Sequence, residues 1–417
     1  MKSLRLAPLA ALLLCFLHPP LRAYSVLSHE AIIDTVWDPV LKPLLLSHFP
    51  QATEAQLLEA HGYAYGGCVI QDMGYYPLGS HFFSDLTHYV RSGDFIEALI
   101  DESQDINEYA FALGALSHYA ADNEGHPLAV NRSVADMYPK LKAKFGNSVT
   151  FAQNPAAHVM VEFSFDVAQI AGAGYLPKTY RNYIGFKIAK RSLHRAFERT
   201  YGFPMSKLFL SERLTLGIYR RGASAVIPRM TQIAWNKKRA EIIKVDPAAT
   251  RKNFAYRLSR SNYERKWTNN RRPSRFYRYK VGAEQVQLDL LSRGLVVLVE
   301  ILPKIGPLRT LRFKPPAQQT QVLFIDSFRT TLDQYQQMLG SVKTNRLVLE
   351  NKNLDTGKPT QAGDYALADR TEAKLLHSLA RRHFAGVTPE IRDYILAFYR
   401  DAPANRPDGK KSQRLAR

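Results

Sequence analysis

The chain has 417 residues, 46% hydrophobic and 23% charged, which is the mixture of a globular protein with a sizeable core and room for two domains. Its formal net charge of +20 favours anionic partners: phosphate-bearing lipid, a membrane surface or nucleic acid. Only Cys15 and Cys68 are present, which excludes a disulfide framework.

The first residues read as an export signal. Lys2 and Arg5 form a basic start and Leu6 to Leu17 an apolar stretch too short to span a bilayer comfortably. Leu21-Arg22-Ala23 then offers a cleavage site ending in a small residue. The competing reading, a membrane anchor, is disfavoured by that short stretch, and Leu14 before Cys15 is too bulky for a lipoprotein signal. Residues 1–23 are therefore expected to be a signal peptide, with the remainder secreted or periplasmic. Cys15 would leave with the signal.

The rest of the chain reads as mainly helical. Ser28 is placed to cap a helix through His29-Glu30-Ala31-Ile32-Ile33. Phe95 to Ala121 carries apolar residues at helical spacing, first Ile96, Leu99 and Ile100, then Ile106, Tyr109, Ala110, Leu113 and Leu116. Pro155 suits a first helical position. Tyr183 to Tyr201 reads as a basic amphipathic helix, and Gly202-Phe203-Pro204 ends a first domain at 24–203. From 204 to 402 a basic region of unassigned role follows. Within it, Arg251 to Lys280 sets eleven basic residues and seven aromatics against the single acid Glu264. Helical patterns return over Glu284–Leu302, Val322–Leu339, Tyr365–Phe384 and Pro389–Tyr399. Leu295 to Leu302 is too brief for a membrane span, carries Glu300 and is stopped by Pro303. The polar tail, 403–417, is expected to be disordered. No internal repeat and no strand-rich region is evident.

The chemistry concentrates early. His29, Asp72, His81, His118, Asp122, His126, His158 and Glu162 follow one another in the first 162 residues. All are side chains of the types that bind zinc through nitrogen or oxygen, and no thiolate is among them, which points to a catalytic metal site rather than a structural finger. His118 and Asp122 stand at i, i+4 on one helix face, with His126 on the same stripe, although Gly125 and Pro127 suit a helix end there. His158 and Glu162 repeat the spacing on a second helix. A lone His-x-x-x-Asp pair is weak evidence, being compatible with a surface hydrogen bond. Two pairs with a third aligned histidine and Asp72/His81 are much stronger.

From about Tyr24 to the helix after Glu162, these elements resemble the zinc-dependent phospholipase C family, related in fold to the S1/P1-type nucleases. The resemblance implies an all-α catalytic domain and three zinc ions, at least two being set by the side chains alone. It assigns Asp72, His81, His118 and Asp122 to one zinc, and His126, His158 and Glu162 to a second. The third would take His29, a bridging Asp122 and the backbone amine and carbonyl of Tyr24, once signal cleavage exposes that amine. Three departures stand out. Tyr24 replaces the family's tryptophan, the Asp72-to-His81 interval is shorter than in better-known members, and the His126-to-His158 interval is longer.

The expected activity is that of an exported zinc-dependent phosphoric diester hydrolase. It would be a phospholipase C cleaving glycerophospholipids through a metal-bound hydroxide, with Asp72 also able to serve as base. The first alternative is a zinc nuclease, since the Arg251–Lys280 stretch suits either polyanion. Glu162 in place of aspartate and the lack of disulfides lean toward the phospholipase. The second alternative is a non-catalytic, zinc-stabilised membrane-binding protein. Phospholipid or a membrane surface is thus the expected partner, nucleic acid the alternative, and no protein partner is indicated. Of the neighbouring polar groups, His88 and Asp85 read as a solvated pair or as support for the ligands. Glu124 and Asp166 read as surface charges, and Tyr75, Tyr76 and Phe82 as core.

Overall fold

The computed structural model describes residues 26–76, 78–171, 187–221 and 318–400. Tyr24, the Tyr183 end of its expected helix, Arg251–Lys280, Glu284–Leu302 and the tail from Pro403 lie outside these residues. The described chain is helical, and the expectation of an all-α fold is borne out; two-residue strands at Lys352–Asn353 (β1) and Lys358–Pro359 (β2) form its one described sheet.

In chain order the helices are α1 (Val26–Val36), α2 (Lys42–His48), α3 (Glu54–Gly67), α4 (His81–Tyr89), α5 (Ser92–Asp101), α6 (Ile106–Gly125), α7 (Asn131–Met137) and α8 (Pro139–Phe145). They continue as α9 (Pro155–Ala171), α10 (Lys190–Tyr201), α11 (Glu212–Arg221), α12 (Gln318–Lys343), α13 (Ala366–Ala380) and α14 (Pro389–Arg400).

The centre of the fold is α6. Its side chains are buried on every face from Ile106 to Gly125, as expected of a helix surrounded by others. It starts because the Asp105 carboxylate accepts the Asn107 and Glu108 amides, each at 2.9 Å. That cap divides the Phe95–Ala121 periodic run into α5 and α6. On one side α6 meets α3 through glycines: a Cβ on Gly114 would lie 2.1 Å from Ala64 O, and one on Gly67 would lie 1.9 Å from Phe111 O. On another side lies α12, which buries Phe324, Phe328, Leu332, Tyr335, Leu339 and Val342 at helical spacing. Tyr335 donates its hydroxyl to Leu113 O at 2.8 Å. One hydrophobic core therefore joins residues on both sides of Gly202-Phe203-Pro204.

Several boundaries differ from the sequence reading. Ser28 lies within α1, whose helix already includes Val26, so it is not the first cap of the described helix. After Gly125 the chain does not stop. Pro127 lacks an amide hydrogen, and the ladder widens to a π turn over His126–Val130, closed by Asn131 N–H to His126 O, before α7. Residues 187–189 are not helical, because Lys187 binds its backbone to Gly62 O of α3 at 2.9 Å, and α10 begins only at Lys190. Among the described residues no helix is long and apolar enough to cross a membrane.

Candidate metal centre

The close α3–α6 crossing sets the first metal-ligating group. It brings the Cys68 carbonyl 2.9 Å from His118 Nδ1. A carbonyl only accepts, so His118 carries its proton on Nδ1 and directs the Nε2 lone pair inward. The same device acts on α4, where His88 Nδ1 lies 2.7 Å from Ser84 O. The two Nε2 atoms face each other at 3.2 Å. Orientation of a histidine by a carbonyl behind it is the usual support for a metal ligand.

Asp122, one turn beyond His118, lies between two halves of the centre. Its Oδ2 is 3.2 Å from His118 Nε2 and 3.5 Å from His88 Nε2. Its Oδ1 is 3.6 Å from His29 Nε2 and 3.7 Å from His126 Nε2. Asp72, on the 3₁₀ turn Ile70–Tyr75, approaches His88 Nε2 at 3.4 Å. In the second half, α9 carries His158 and Glu162, whose Nε2 and Oε1 are 2.8 Å apart. Glu162 Oε1 is also 3.7 Å from His126 Nε2.

Among the described residues, three groups of donor atoms are compact enough to hold an ion: His29/His118/Asp122, Asp72/His88/His118 and His126/His158/Asp355. Of the expected ligands, His29, Asp72, His118, Asp122, His126, His158 and Glu162 are thus brought together. His81 is not. It sits exposed at the first position of α4, edge-on to Tyr75. His88, two turns further along the same helix face and buried, is the imidazole that meets Asp72 and His118. The short Asp72-to-His81 interval was the signal for this correction, since His88 lengthens it.

Asp355 carried no such signal in the sequence. It belongs to the turn between β1 and β2, and no local spacing connects it with the early histidines. Its Oδ1 lies 3.5 Å from His126 Nδ1 and 4.0 Å from His158 Nε2. Of the other candidates, Tyr75, Tyr76 and Phe82 are buried as core, and Asp85 accepts the Tyr75 hydroxyl at 3.1 Å. Glu124 is half-buried, and burial raises its carboxyl pKa. The Asp166 side chain lies outside the described residues.

Charge supplies a test of fit. Asp72, Asp122 and Asp355 are buried, and their ion-pair partners among the described residues are all imidazoles. Asp72 Oδ1, both oxygens of Asp122 and Asp355 Oδ1 accept no hydrogen bond. Buried carboxylates in that state demand a cation. The imidazoles register the demand. Burial works against a charged His88, yet the nearby Asp122 and Asp72 carboxylates outweigh it and raise its pKa to about 9. Burial likewise opposes charge on His126, and Asp122 and Asp355 outweigh it, again to about 9. His29, by contrast, is driven well below the usual imidazole range by burial and by His118, which leaves a neutral lone pair. An all-nitrogen-and-oxygen donor set of this composition fits zinc.

Aromatic rings border both halves. Tyr75 lies 5.7 Å from the His88 ring and Phe151 5.6 Å from the His158 ring, and the two aromatics stack at 6.3 Å.

A helical fold around buried histidines and carboxylates gathers, among the described residues, three donor groups that could each hold a metal ion. Residues 28–209 match the family model described as zinc dependent phospholipase C, which bears out the resemblance read from the motifs. The matched segment contains every expected side-chain ligand and His88; Asp355 lies beyond it. No curated protein and no solved structure matches the chain significantly.

Proposed function

We propose that the protein is a zinc-dependent phosphoric diester hydrolase of the phospholipase C type, acting on glycerophospholipids. The observation that carries this reading is the coincidence of the matched family segment with a buried centre where Asp72, Asp122 and Asp355 pair, among the described residues, with histidines. His29, Asp72, His88, His118 and Asp122 would hold zinc in one half. His126, His158 and Glu162 would hold it in the other. Zinc in such a site neutralises phosphate oxygens, activates water and stabilises the departing oxygen of an in-line displacement.

The protein's own groups then act separately. Asp122, with Oδ2 toward His118 and His88 and Oδ1 toward His29 and His126, spans the two halves. The Cys68 and Ser84 carbonyls hold His118 and His88 in the tautomer that presents Nε2. Asp72 Oδ1, which accepts no hydrogen bond, is placed to take a proton from the attacking water. Tyr75 and Phe151 supply apolar surface beside the reacting phosphate and limit access of bulk water. In this reading residues 1–23 are an export signal, residues 24–203 form the catalytic domain, and Tyr24 becomes the first residue of the exported protein. N-terminal sequencing of exported protein tests that last step.

The activity is tested on the full chain with vesicles of phosphatidylcholine or phosphatidylethanolamine and, separately, with single-stranded nucleic acid. Each assay is run with and without chelator. Release of diacylglycerol that chelator and His118→Ala both abolish is the expected result. Nucleotide release without lipid turnover would replace this reading with that of a nuclease. Bound zinc with turnover of neither substrate would make the centre structural.

A further inference from the structure

Residues 349–365 run beside the metal centre as a strap tied on both sides of the β1–β2 turn. On the entering side, the Asn351 side chain accepts the Gly93 and Asp94 amides at 3.1 Å each, and Ser92 Oγ donates to Lys352 O at 2.6 Å. Leu354 N then donates to His88 O at 3.0 Å, fastening the strap to the helix that carries a candidate ligand. On the leaving side, Thr360 Oγ1 donates to Tyr89 O at 2.9 Å. The turn fits closely: Gly357 is left-handed at φ +69°, and a Cβ there would lie 2.5 Å from Asn123 O.

What the strap delivers is Asp355, of which 1% is exposed. Its two oxygens differ. Oδ2 accepts the Phe151 amide at 2.9 Å and the Tyr365 hydroxyl at 2.5 Å, while Asn131 Nδ2 holds the backbone carbonyl at 2.8 Å. Oδ1 accepts nothing and points between His126 Nδ1 and His158 Nε2. A carboxylate held so firmly by one oxygen, with the other aimed at two imidazole nitrogens, has the arrangement of a preoriented monodentate ligand. The three donor atoms lie within 4.8 Å of one another.

We propose that Asp355 Oδ1 is a ligand of the metal subsite formed with His126 and His158, so that a segment beyond the matched family domain completes the centre. The proposal rests on the zinc reading above. It gives the later part of the chain a defined role, because the strap closes the second subsite and fixes its charge at one carboxylate more than the early motifs supply. It also makes strap docking and metal binding mutually dependent, since each stabilises the geometry the other needs.

Zinc bound per full-length chain is measured by mass spectrometry after dialysis, with affinities from competition against a chromogenic chelator. Asp355→Asn is expected to lose one zinc equivalent or to bind it at least ~10-fold more weakly. His81→Ala, exposed at the start of α4 and outside the donor groups, should retain the full number. If Asp355→Asn fails to fold, as judged by circular dichroism, Asp355→Cys loaded with cadmium decides instead. A ligand at this position gives a thiolate-to-metal charge-transfer band, and the unaltered chain with Cys15 and Cys68 is the blank. Unchanged zinc number and affinity in Asp355→Asn, or no band in Asp355→Cys, would overturn the proposal and leave the zinc reading standing. Absence of zinc from the unaltered chain would overturn both.

Discussion

His88 and His118 present their Nε2 atoms to each other at 3.2 Å, each held from behind by a backbone carbonyl on Nδ1. Without an ion, one protonated and one neutral imidazole share an N–H···N hydrogen bond at that distance; a metal ion would take the place of the shared proton between the two lone pairs. His88→Ala is therefore expected to weaken zinc binding by ~10-fold or more and to reduce hydrolysis in proportion. His81→Ala, at an exposed helix start, should change stability by less than ~0.5 kcal/mol and leave zinc content intact. Equal effects of the two substitutions on zinc content would contradict the assignment of His88.

Metal removal should act on the fold as well as on activity. Asp72, Asp122 and Asp355 are buried without hydrogen bonds on the oxygens that face the centre. Zinc that binds only the folded chain stabilises it by about 4 kcal/mol when free zinc is about 1,000 times the dissociation constant. Calorimetric melting is expected to move upward with zinc and downward with chelator. An unfolding temperature indifferent to both would remove the case for a metal at these carboxylates.

The helical class and the candidate ligands His118, Asp122, His126, His158 and Glu162 were legible because each depends on near-neighbour spacing, whereas His29 and Asp72 were reached through the family resemblance. His118 with Asp122 and His158 with Glu162 lie one helical turn apart, and that periodicity survives any tertiary arrangement. The choice between His81 and His88 was not legible in this way. Both occupy the same face of one helix, and only the depth at which α4 enters the core distinguishes them. Asp355 was further out of reach. Its role follows from hydrogen bonds to Phe151, Asn131 and Tyr365, which pair a late turn with three separate elements, and no periodicity encodes such contacts. The break at Asp105 shows a local signal overlooked, since an aspartate before Ile106 is an ordinary helix cap.

The α3–α6 crossing couples packing to ligand orientation. In an open helix Gly→Ala stabilises by about 1 kcal/mol. Gly217 of α11 meets nothing within 4 Å of a built Cβ, so Gly217→Ala should follow that rule. Gly114→Ala should reverse it, because its Cβ would overlap Ala64 O at 2.1 Å and force the helices apart. A loss of about 1–3 kcal/mol is expected. Because the Cys68 carbonyl moves with α3, His118 would lose its support and zinc affinity would fall too. Urea unfolding of the two variants, with zinc titration of each, checks both parts; stabilisation by Gly114→Ala would mean that the helices are less closely packed than described.

Away from the metal centre, Glu372 of α13 gives the fold a pH dependence. It is buried, accepts the Tyr394 hydroxyl from α14, and has its pKa raised to about 8. Burial is the main cause; Asp369 adds to it, while Tyr394 and Arg91 act in the opposite direction. The folded chain thus holds a proton that the unfolded chain releases near pH 4.5. The protonated carboxyl is tolerated at low pH, and stability falls as pH rises from that value toward 8, by up to about 1.4 kcal/mol per pH unit. Above that range the loss is complete and the contribution flat. Glu372→Gln keeps an acceptor for Tyr394 but cannot ionise, so it should match the unaltered chain in acid and exceed it in stability near pH 8. Urea midpoints followed across this range measure the difference, and parallel curves for the two proteins would show that Glu372 ionises normally.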